Sequence, residues 1–158
     1  EIGMIEVRGP NVFKGYWNMP DKTALELRET GYFITGDLGK LSSDGYLSIV
    51  GREKDLIISG GYNVYPKEVE DILNELNQID ETAVFGVPDN DLGERVVAAL
   101  VLENNKIFNQ SKIEVFVNEK LARYKQPKEY FVLDTLPRNS MGKVQKTELR
   151  KRFWKKIQ

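Results

Sequence analysis

The chain has 158 residues, which is enough for one ordinary domain or for a small domain together with part of another. Apolar residues make up 41% and charged residues 30%, and the formal net charge is -1, which argues against a disordered chain and gives no charge excess of the kind that binds nucleic acid. Cysteine and histidine are absent, which excludes disulfide bridges, thiolate nucleophiles, Cys/His zinc sites and imidazole bases.

Targeting signals are also missing from the sequence. No apolar run approaches the roughly 20 residues that cross a bilayer, and the first residues lack the charged and then apolar pattern of a secretory signal. A cytoplasmic location without a membrane span is therefore the default expectation. The opening residues read EIGMIEVRGP and have the pattern of a strand already under way. We expect the chain to be part of a longer protein.

The first third of the chain combines short β-type runs with Gly and Pro turn signals. Residues 4–8 and 46–50 are predicted strands. Between them, a short helix is predicted to begin with Asp21 as its cap and to end before Gly31. This part is therefore predicted to be β-rich, and it contains no amphipathic helix long enough to cover a sheet.

After residue 55 the pattern changes to strands that alternate with longer helices. A short strand over 56–59 is followed by Gly60 and Gly61. A helix is predicted to begin at Pro66, because the residues after it place apolar side chains at i, i+3, i+4 and i+7. Residues 82–87 and 95–102 are predicted to be buried strands joined by a turn.

The last part of the chain continues the same alternation. Ser111 and Glu114 are predicted to form a capping box for a second helix. A strand over 129–134 and a basic helix over 146–157 follow. The order helix, two strands, helix, strand, helix predicts the α+β fold class, with a small β-sheet flanked by helices.

Two segments place Gly residues beside side chains that could contact a ligand. Asp37 follows a Gly after an apolar run, so its carboxylate is predicted to project from the end of a strand and to accept hydroxyl hydrogen bonds from a sugar. The polar stretch from Gly51 suggests a flexible joint, followed by a hairpin whose Gly60-Gly61 tip lets a ligand approach the backbone. Taken alone, these segments also fit an Asx turn and an ordinary linker.

Two further segments are basic. Lys143 follows a Gly and precedes a helix, so its ammonium group could be brought to a phosphate or carboxylate oxygen on which negative charge develops. Arg123 and Lys125 follow a predicted helix, where they could contact a polyanion or stabilise the helix dipole. A solvated surface lysine is the plain alternative for Lys143.

Together, these segments resemble the closing motifs of the adenylate-forming superfamily of acyl-CoA synthetases, luciferases and peptide-synthetase adenylation domains. The motifs occur in the order TGD, GREKDLIISGGYNVYPKEVE, RYKQP and PRNSMGKVQK. The hairpin sequence looks like that of the CoA ligases, and GPNVFKGYWNMPDKT with LPRNSMGKVQK is particularly similar to malonyl-CoA synthetases. Fatty-acid and aromatic-acid CoA ligases are the alternatives within the superfamily.

The resemblance implies a domain organisation and a reaction. Residues 1–52 would be the C-terminal end of a large N-terminal AMP-binding domain, and residues 53–158 would be a C-terminal lid domain with a hinge at 53–55. A carboxylate would attack the α-phosphate of ATP to give an acyl-adenylate and pyrophosphate. The thiol of CoA would then displace AMP to give the thioester.

The resemblance also implies residue roles. Asp37 would hold the ribose hydroxyls, Arg52 would contact the ribose or a phosphate, and Lys54 would lie at the hinge. Lys143 would bridge the carboxylate and the α-phosphate during adenylation only. The residues implied to bind CoA are Ser59, Gly60, Gly61, Tyr62, Arg123 and Lys125.

Nothing in the sequence is similar to the family's phosphate loop, its magnesium-binding glutamate or most of its acyl pocket. The chain alone is therefore expected to be inactive, with the N-terminal domain of the same protein as its partner and with Mg²⁺ held outside this chain. An alternative from another class is a non-catalytic module that binds a polyanion or a protein through a basic last helix. The basic residues of that helix are Arg150, Lys151, Arg152, Lys155 and Lys156.

Overall fold

The computed structural model describes residues 1–104 and 106–157. The chain divides into two compact units, Glu1–Lys54 and Asp55–Gln158. This division falls inside the segment 53–55 that the resemblance assigns to a hinge. The hinge itself stays a prediction.

The first unit is a three-stranded antiparallel sheet in the order β1-β2-β3, with one short helix. Its elements are β1 (Ile2–Val7), α1 (Pro20–Glu26), β2 (Phe33–Leu41) and β3 (Leu47–Arg52). Every buried apolar side chain among the residues that the structure describes belongs to the second unit. The first unit is β-rich, as the sequence predicts. Its sheet has no core of buried apolar side chains among the residues that the structure describes.

Two details of the first unit differ from the predictions. Helix α1 begins at Pro20, and its N-cap is Met19 rather than Asp21, because proline supplies a preset helical φ angle at the first position and leaves Asp21 inside the first turn. Asp37 lies in the middle of β2 and not at the end of a strand, because β2 continues through Gly36 and Gly39 and pairs with β1 and β3 on its two edges.

The second unit is a five-stranded sheet covered by helices on both faces. Strands β5, β4, β7 and β6 are neighbours in that order, and β8 pairs with β7 in parallel. The strands are β4 (Ile57–Ser59), β5 (Tyr62–Val64), β6 (Ile79–Asp89), β7 (Gly93–Leu102) and β8 (Glu129–Leu133). The helices are α2 (Pro66–Leu73), α3 (Gln110–Lys120) and α4 (Lys146–Ile157).

The apolar run of β7 explains why this unit has two core layers. Successive side chains of a strand point to opposite faces, and both faces of β7 are buried. Val96, Ala98 and Leu100 pack in the layer that contains α2 and α3. The alternate residues of β7 pack with Leu149 and Phe153 of α4. The observed α+β architecture confirms the predicted fold class.

The start of α3 corrects the predicted capping box. The helix begins at Gln110, and the side chain of Asn109 accepts a hydrogen bond from the backbone N–H of Lys112 at 3.1 Å. Ser111 therefore lies inside the first turn, and Glu114 accepts a hydrogen bond from the Gln110 side chain instead of closing a box. Asn is at least as good an N-cap as Ser, so the earlier residue takes the position.

Candidate functional site

The first candidate site is formed by Asp37 and Arg52 in the first unit. The register of β2 and β3 places the two residues opposite each other, and Nε of Arg52 lies 2.9 Å from Oδ1 of Asp37. The backbone N–H of Asp37 donates to the hydroxyl of Thr35, which itself donates to the carbonyl of Ile5. The backbone of Asp37 is therefore held on the sheet, while the carboxylate and the Arg52 side chain keep part of their surface in solvent.

Asp37 and Arg52 open onto a cavity of about 570 Å³ within the first unit. Its walls are polar. The Tyr16 hydroxyl donates to Glu26 at 2.5 Å, a bond that raises the pKa of Tyr16, and Lys22 lies over the Tyr16 ring. The lining residues are Tyr16, Lys22, Glu26, Phe33, Thr35, Gly36, Asp37, Arg52, Glu53 and Lys54. A carboxylate that accepts hydroxyls beside a forked cationic donor suits a sugar that carries phosphate.

The predicted Gly-Gly hairpin forms in the second unit. Strands β4 and β5 are antiparallel, and the pair Ser59 and Tyr62 closes a two-residue turn at Gly60 and Gly61, whose φ angles are +57° and +81°. Positive φ at both central residues favours glycine in such a turn. The backbone N–H of Gly60 donates to the carbonyl of Leu92 at 2.8 Å, which ties the hairpin to the loop between β6 and β7.

A second cavity, of about 620 Å³, lies beside this hairpin. The Tyr62 and Tyr124 rings are stacked with their centroids 4.7 Å apart, so the hairpin contacts the 3₁₀ turn at Arg123–Lys125. The lining residues are Ser59, Gly60, Tyr62, Leu92, Arg123, Tyr124 and Lys128. The walls are thus largely apolar and aromatic, with two cationic side chains among them.

Two residues that the resemblance assigns to CoA adjoin this cavity without lining it. Gly61 is not among the residues that line this cavity. Lys125 does not line it either, because its ammonium group pairs with the Glu68 carboxylate of α2 at 2.6 Å. The sequence analysis missed Leu92 and Lys128, which reach the cavity only through the fold. Tyr124, by contrast, stands inside the RYKQP motif and could have been singled out as the aromatic residue there.

Lys143 lies at the end of a closed turn with its side chain exposed. The backbone N–H of Asn139 donates to the carbonyl of Lys143 at 2.9 Å, and the Asn139 side chain accepts from the backbone N–H of Lys143 at 2.9 Å. Gly142 has a φ of +78°, which explains the glycine before the lysine. The backbone of Lys143 is therefore held by hydrogen bonds on both its N–H and its carbonyl.

Residues 68–143 match the family model for the AMP-binding enzyme C-terminal domain. The chain is 44% identical over 149 residues to a long-chain-fatty-acid–CoA ligase of Bacillus subtilis, which covers 94% of this chain and 26% of that protein. It is 45% identical over 148 residues to an indoleacetate–CoA ligase of Aromatoleum aromaticum, with 94% and 29% covered.

The solved structures give the same result. ATP-bound MatB from Rhodopseudomonas palustris, a malonyl-CoA synthetase, is 49% identical and matches with a TM-score of 0.94 over 100% of this chain and 31% of that one. The chain therefore resembles the C-terminal domain of the AMP-forming acyl-CoA ligases. The apo structure of the same MatB matches at the same identity with a TM-score of 0.73, over 100% and 32%.

The match is to the C-terminal domain of an acyl-CoA ligase, and the chain spans less than a third of the length of these relatives. Among the residues that the structure describes, no group of three or more acidic side chains could hold a metal ion. That the Mg²⁺ ligand lies outside this chain stays a prediction. No helix in the described part of the chain is long and apolar enough to cross a membrane.

Proposed function

We propose that the chain is the C-terminal part of an ATP-dependent ligase that converts a carboxylate, ATP and CoA to an acyl-CoA, AMP and pyrophosphate. Malonate or a close analogue is the proposed acid, on the basis of the 49% identity to MatB. Fatty and aromatic acids are the alternatives, because ligases for such acids are 44% and 45% identical. The chain alone is proposed to be inactive and to act with the N-terminal domain of the same protein.

The observation that carries the proposal is the cavity beside the Gly-Gly hairpin. Its walls come from two motifs far apart in the sequence, at 59–62 and at 123–128, which the fold brings together around about 620 Å³. An apolar passage suits a flexible pantetheine arm, and a Cβ atom at the glycine that lines it would narrow it. Arg123 and Lys128 contribute two cationic side chains to the lining, which suits the phosphates of CoA.

Asp37 and Arg52 are proposed to hold the nucleotide. The carboxylate of Asp37 accepts hydrogen bonds, as the two ribose hydroxyls require. Arg52 lies 2.9 Å from it and offers a forked donor to the ribose or a phosphate oxygen. Displacement of this ion pair on binding costs little, because both side chains are partly exposed to solvent.

Lys143 is proposed to act in the adenylation step. Its ammonium group would bridge the acid's carboxylate and the α-phosphate, where negative charge increases as the new P–O bond forms. The two half-reactions are proposed to use different arrangements of the domain, and one loop cannot serve both. Lys143 is therefore proposed to serve the first half-reaction only.

The segment 53–55 is proposed to be the hinge, with Lys54 at its centre. The two MatB structures match this chain at equal identity and coverage but with TM-scores of 0.94 and 0.73. The matched region of MatB therefore differs in conformation between its ATP-bound and apo structures. A change of this kind fits an enzyme that uses two arrangements for two half-reactions.

The proposal is tested with the full-length protein. Pyrophosphate release and CoA consumption are measured with ATP and with malonate, methylmalonate, acetate, octanoate and benzoate in turn. We expect turnover with malonate. Turnover with another acid only would keep the ligase and discard malonate, and no turnover with any acid would leave the polyanion-binding module as the reading to pursue.

Variants assign the roles within the reaction. Lys143→Ala is expected to abolish acyl-adenylate formation and to spare thioester formation from a supplied acyl-adenylate. Equal loss of both half-reactions would refute the role of Lys143. Lys54→Pro is expected to slow the second half-reaction more than the first, and equal slowing would argue against a hinge at Lys54.

A further inference from the structure

We propose that Arg138, held by Glu81, positions Lys143 for the adenylation step. This inference rests on the proposed function of Lys143 and adds two residues to it. Arg138 does not contact substrate in this proposal. Its role is to fix the backbone from which the Lys143 side chain extends.

Arg138 contacts the turn directly through one arm of its guanidinium group. Nη1 donates to the carbonyl oxygen of Gly142 at 2.7 Å, on the residue immediately before Lys143. Nη2 of the same group pairs with the carboxylate of Glu81 on β6. A planar fork can serve both partners at once, and it therefore links the turn to the central sheet of the second unit.

The rest of the turn is held locally. The Asn139 side chain accepts from the backbone N–H groups of Met141 and Lys143, and Arg138 and Val144 form an isolated antiparallel bridge. These contacts close the turn on itself but do not attach it to the sheet. Among the side-chain contacts that the structure describes for the turn, the pair with Glu81 is the one that reaches a strand of the core.

A second ion pair holds the chain just after Lys143. The Lys146 ammonium group lies 2.7 Å from Oε1 of Glu70 on α2, and both side chains are largely buried. The turn is thus attached to β6 on one side and to α2 on the other. We call these two ion pairs the anchors of the turn, and Lys143 lies between them. Of the two, Arg138 is the one that contacts the carbonyl of Gly142, the residue before Lys143.

Because the Arg138–Glu81 pair is exposed, its effect on the position of Lys143 can be separated from its effect on folding stability. Arg138 and Glu81 keep 40% and 37% of their side-chain surface in solvent, and ion pairs that are this exposed contribute little to folding. A misplaced catalytic group, by contrast, lowers a rate strongly. The loss of Arg138 should therefore change the first half-reaction far more than it changes Tm.

The test uses the full-length enzyme with Arg138→Gln, Glu81→Gln and the double variant, beside Lys143→Ala. Each half-reaction is assayed separately, with kcat and KM for ATP. We expect Arg138→Gln to lower the adenylation kcat by on the order of tenfold to a hundredfold, with thioester formation from supplied acyl-adenylate unchanged. The double variant should be no slower than Arg138→Gln, because the two residues act as one unit.

The matched control is Glu75→Gln. It breaks the pair between Glu75 and Lys120, which also joins two elements of the second unit at its surface but does not touch the Lys143 turn. We expect this variant to keep both half-reactions. Amide hydrogen exchange at residues 141–143 provides a second readout, and it should be faster in Arg138→Gln than in Glu75→Gln.

Each outcome distinguishes the inference from the function on which it rests. If Lys143→Ala abolishes adenylation while Arg138→Gln and Glu81→Gln do not slow it, the positioning role is wrong and the proposed function stands. If Lys143→Ala leaves adenylation intact, the proposed function fails first. Equal loss of both half-reactions in Arg138→Gln would show a general structural role and would also overturn the inference. If Arg138→Gln does not fold, Glu81→Gln provides the same test.

Discussion

The ion pair between Glu70 and Lys146 provides a quantitative test of how the second unit is held together. The side chains are only 17% and 18% exposed, and Oε1 of Glu70 also accepts a hydrogen bond from the backbone N–H of Val84 at 2.8 Å. Glu70→Ala would leave the Lys146 ammonium without its partner and the Val84 N–H without its acceptor. Both groups lie where water has limited access.

The expected cost follows from these two losses. Breaking a buried ion pair costs about 3–5 kcal/mol, and the residual exposure of this pair places it at the lower end. An unsatisfied buried N–H adds about 1–3 kcal/mol, part of which water can recover in the space that the side chain leaves. We therefore expect Glu70→Ala to reduce the free energy of unfolding by about 3–4 kcal/mol.

The neighbouring residue provides a matched control. Asp71 pairs with Lys67 on the same helix, but these side chains are 57% and 56% exposed. Asp71→Ala should cost no more than about 0.5 kcal/mol. Lys146→Met in the Glu70→Ala background should restore part of the stability, because it removes the unpaired charge.

Urea unfolding followed by tryptophan fluorescence measures these differences. Trp154 packs against the core of the second unit, whereas Trp17 is 89% exposed. In a Trp17→Phe background the emission therefore reports on the second unit. If Glu70→Ala and Asp71→Ala differ by less than about 1 kcal/mol, the pair is not the buried anchor that its contacts indicate.

Three further changes test the site and the core. Gly60→Val should destabilise the second unit by about 1–2 kcal/mol and slow thioester formation, because Gly60 has a φ of +57°. Gly60→Asn should cost less. Urea unfolding and the half-reaction from supplied adenylate measure the two effects. Hydrogen bonds from the backbone N–H groups of Leu92 and Asp91 lower the pKa of Asp89. The stabilising contribution of Asp89 is therefore present above the ordinary carboxyl pKa and is lost as pH falls through the lowered pKa. Asp89→Asn should lower the urea midpoint at pH 7 and flatten the decline of this midpoint in acid. Phe153→Ala should cost about 3–5 kcal/mol in the same urea assay, because it empties a fully enclosed ring site.

The elements that the sequence predicted well are those whose pattern reports burial directly. In β7, six consecutive apolar residues at 96–101 indicate a strand that is buried on both faces. The structure shows these six residues buried, on alternate faces of the sheet. Helices α2 and α4 show one apolar face each, and the buried residues lie on it. Local pattern and tertiary packing agree in these segments, so no knowledge of the partner elements is required.

Strand β2 was predicted to end before Asp37, and its continuation to Leu41 was missed for a reason that lies outside its own sequence. Gly36 and Gly39 interrupt it like turn residues. A Cβ atom at Gly39 would lie 2.7 Å from Cδ1 of Ile5 on β1 and 3.0 Å from Cδ1 of Leu47 on β3. The glycine therefore makes room for side chains of the two neighbouring strands. Only the pairing with β1 and β3 shows this.

The candidate site likewise contains residues that the sequence indicates and residues that only the fold brings to it. Residues inside the motifs were found from the sequence, including Ser59, Tyr62 and Arg123 at the cavity. Leu92 was missed because it reaches the cavity from the loop between β6 and β7, and Lys128 was missed although it directly follows the RYKQP motif. Lys125 pairs with Glu68 of α2, a partner that its own motif does not indicate, and its assignment to CoA stays a prediction.

The two anchors of the Lys143 turn have a consequence for how the lysine reaches its target. The backbone of Lys143 is hydrogen-bonded at its N–H and its carbonyl, and the turn is attached to β6 through Arg138 and precedes a helix that is attached to α2 through Lys146. Rotation of the side chain alone therefore changes the position of the ammonium group only within its own length. A larger displacement of Lys143 requires movement of the second unit as a body, in keeping with the proposed hinge at 53–55. A flexible loop would allow Lys54→Pro to leave adenylation and thioester formation equally fast, whereas an anchored turn requires the two half-reactions to respond differently.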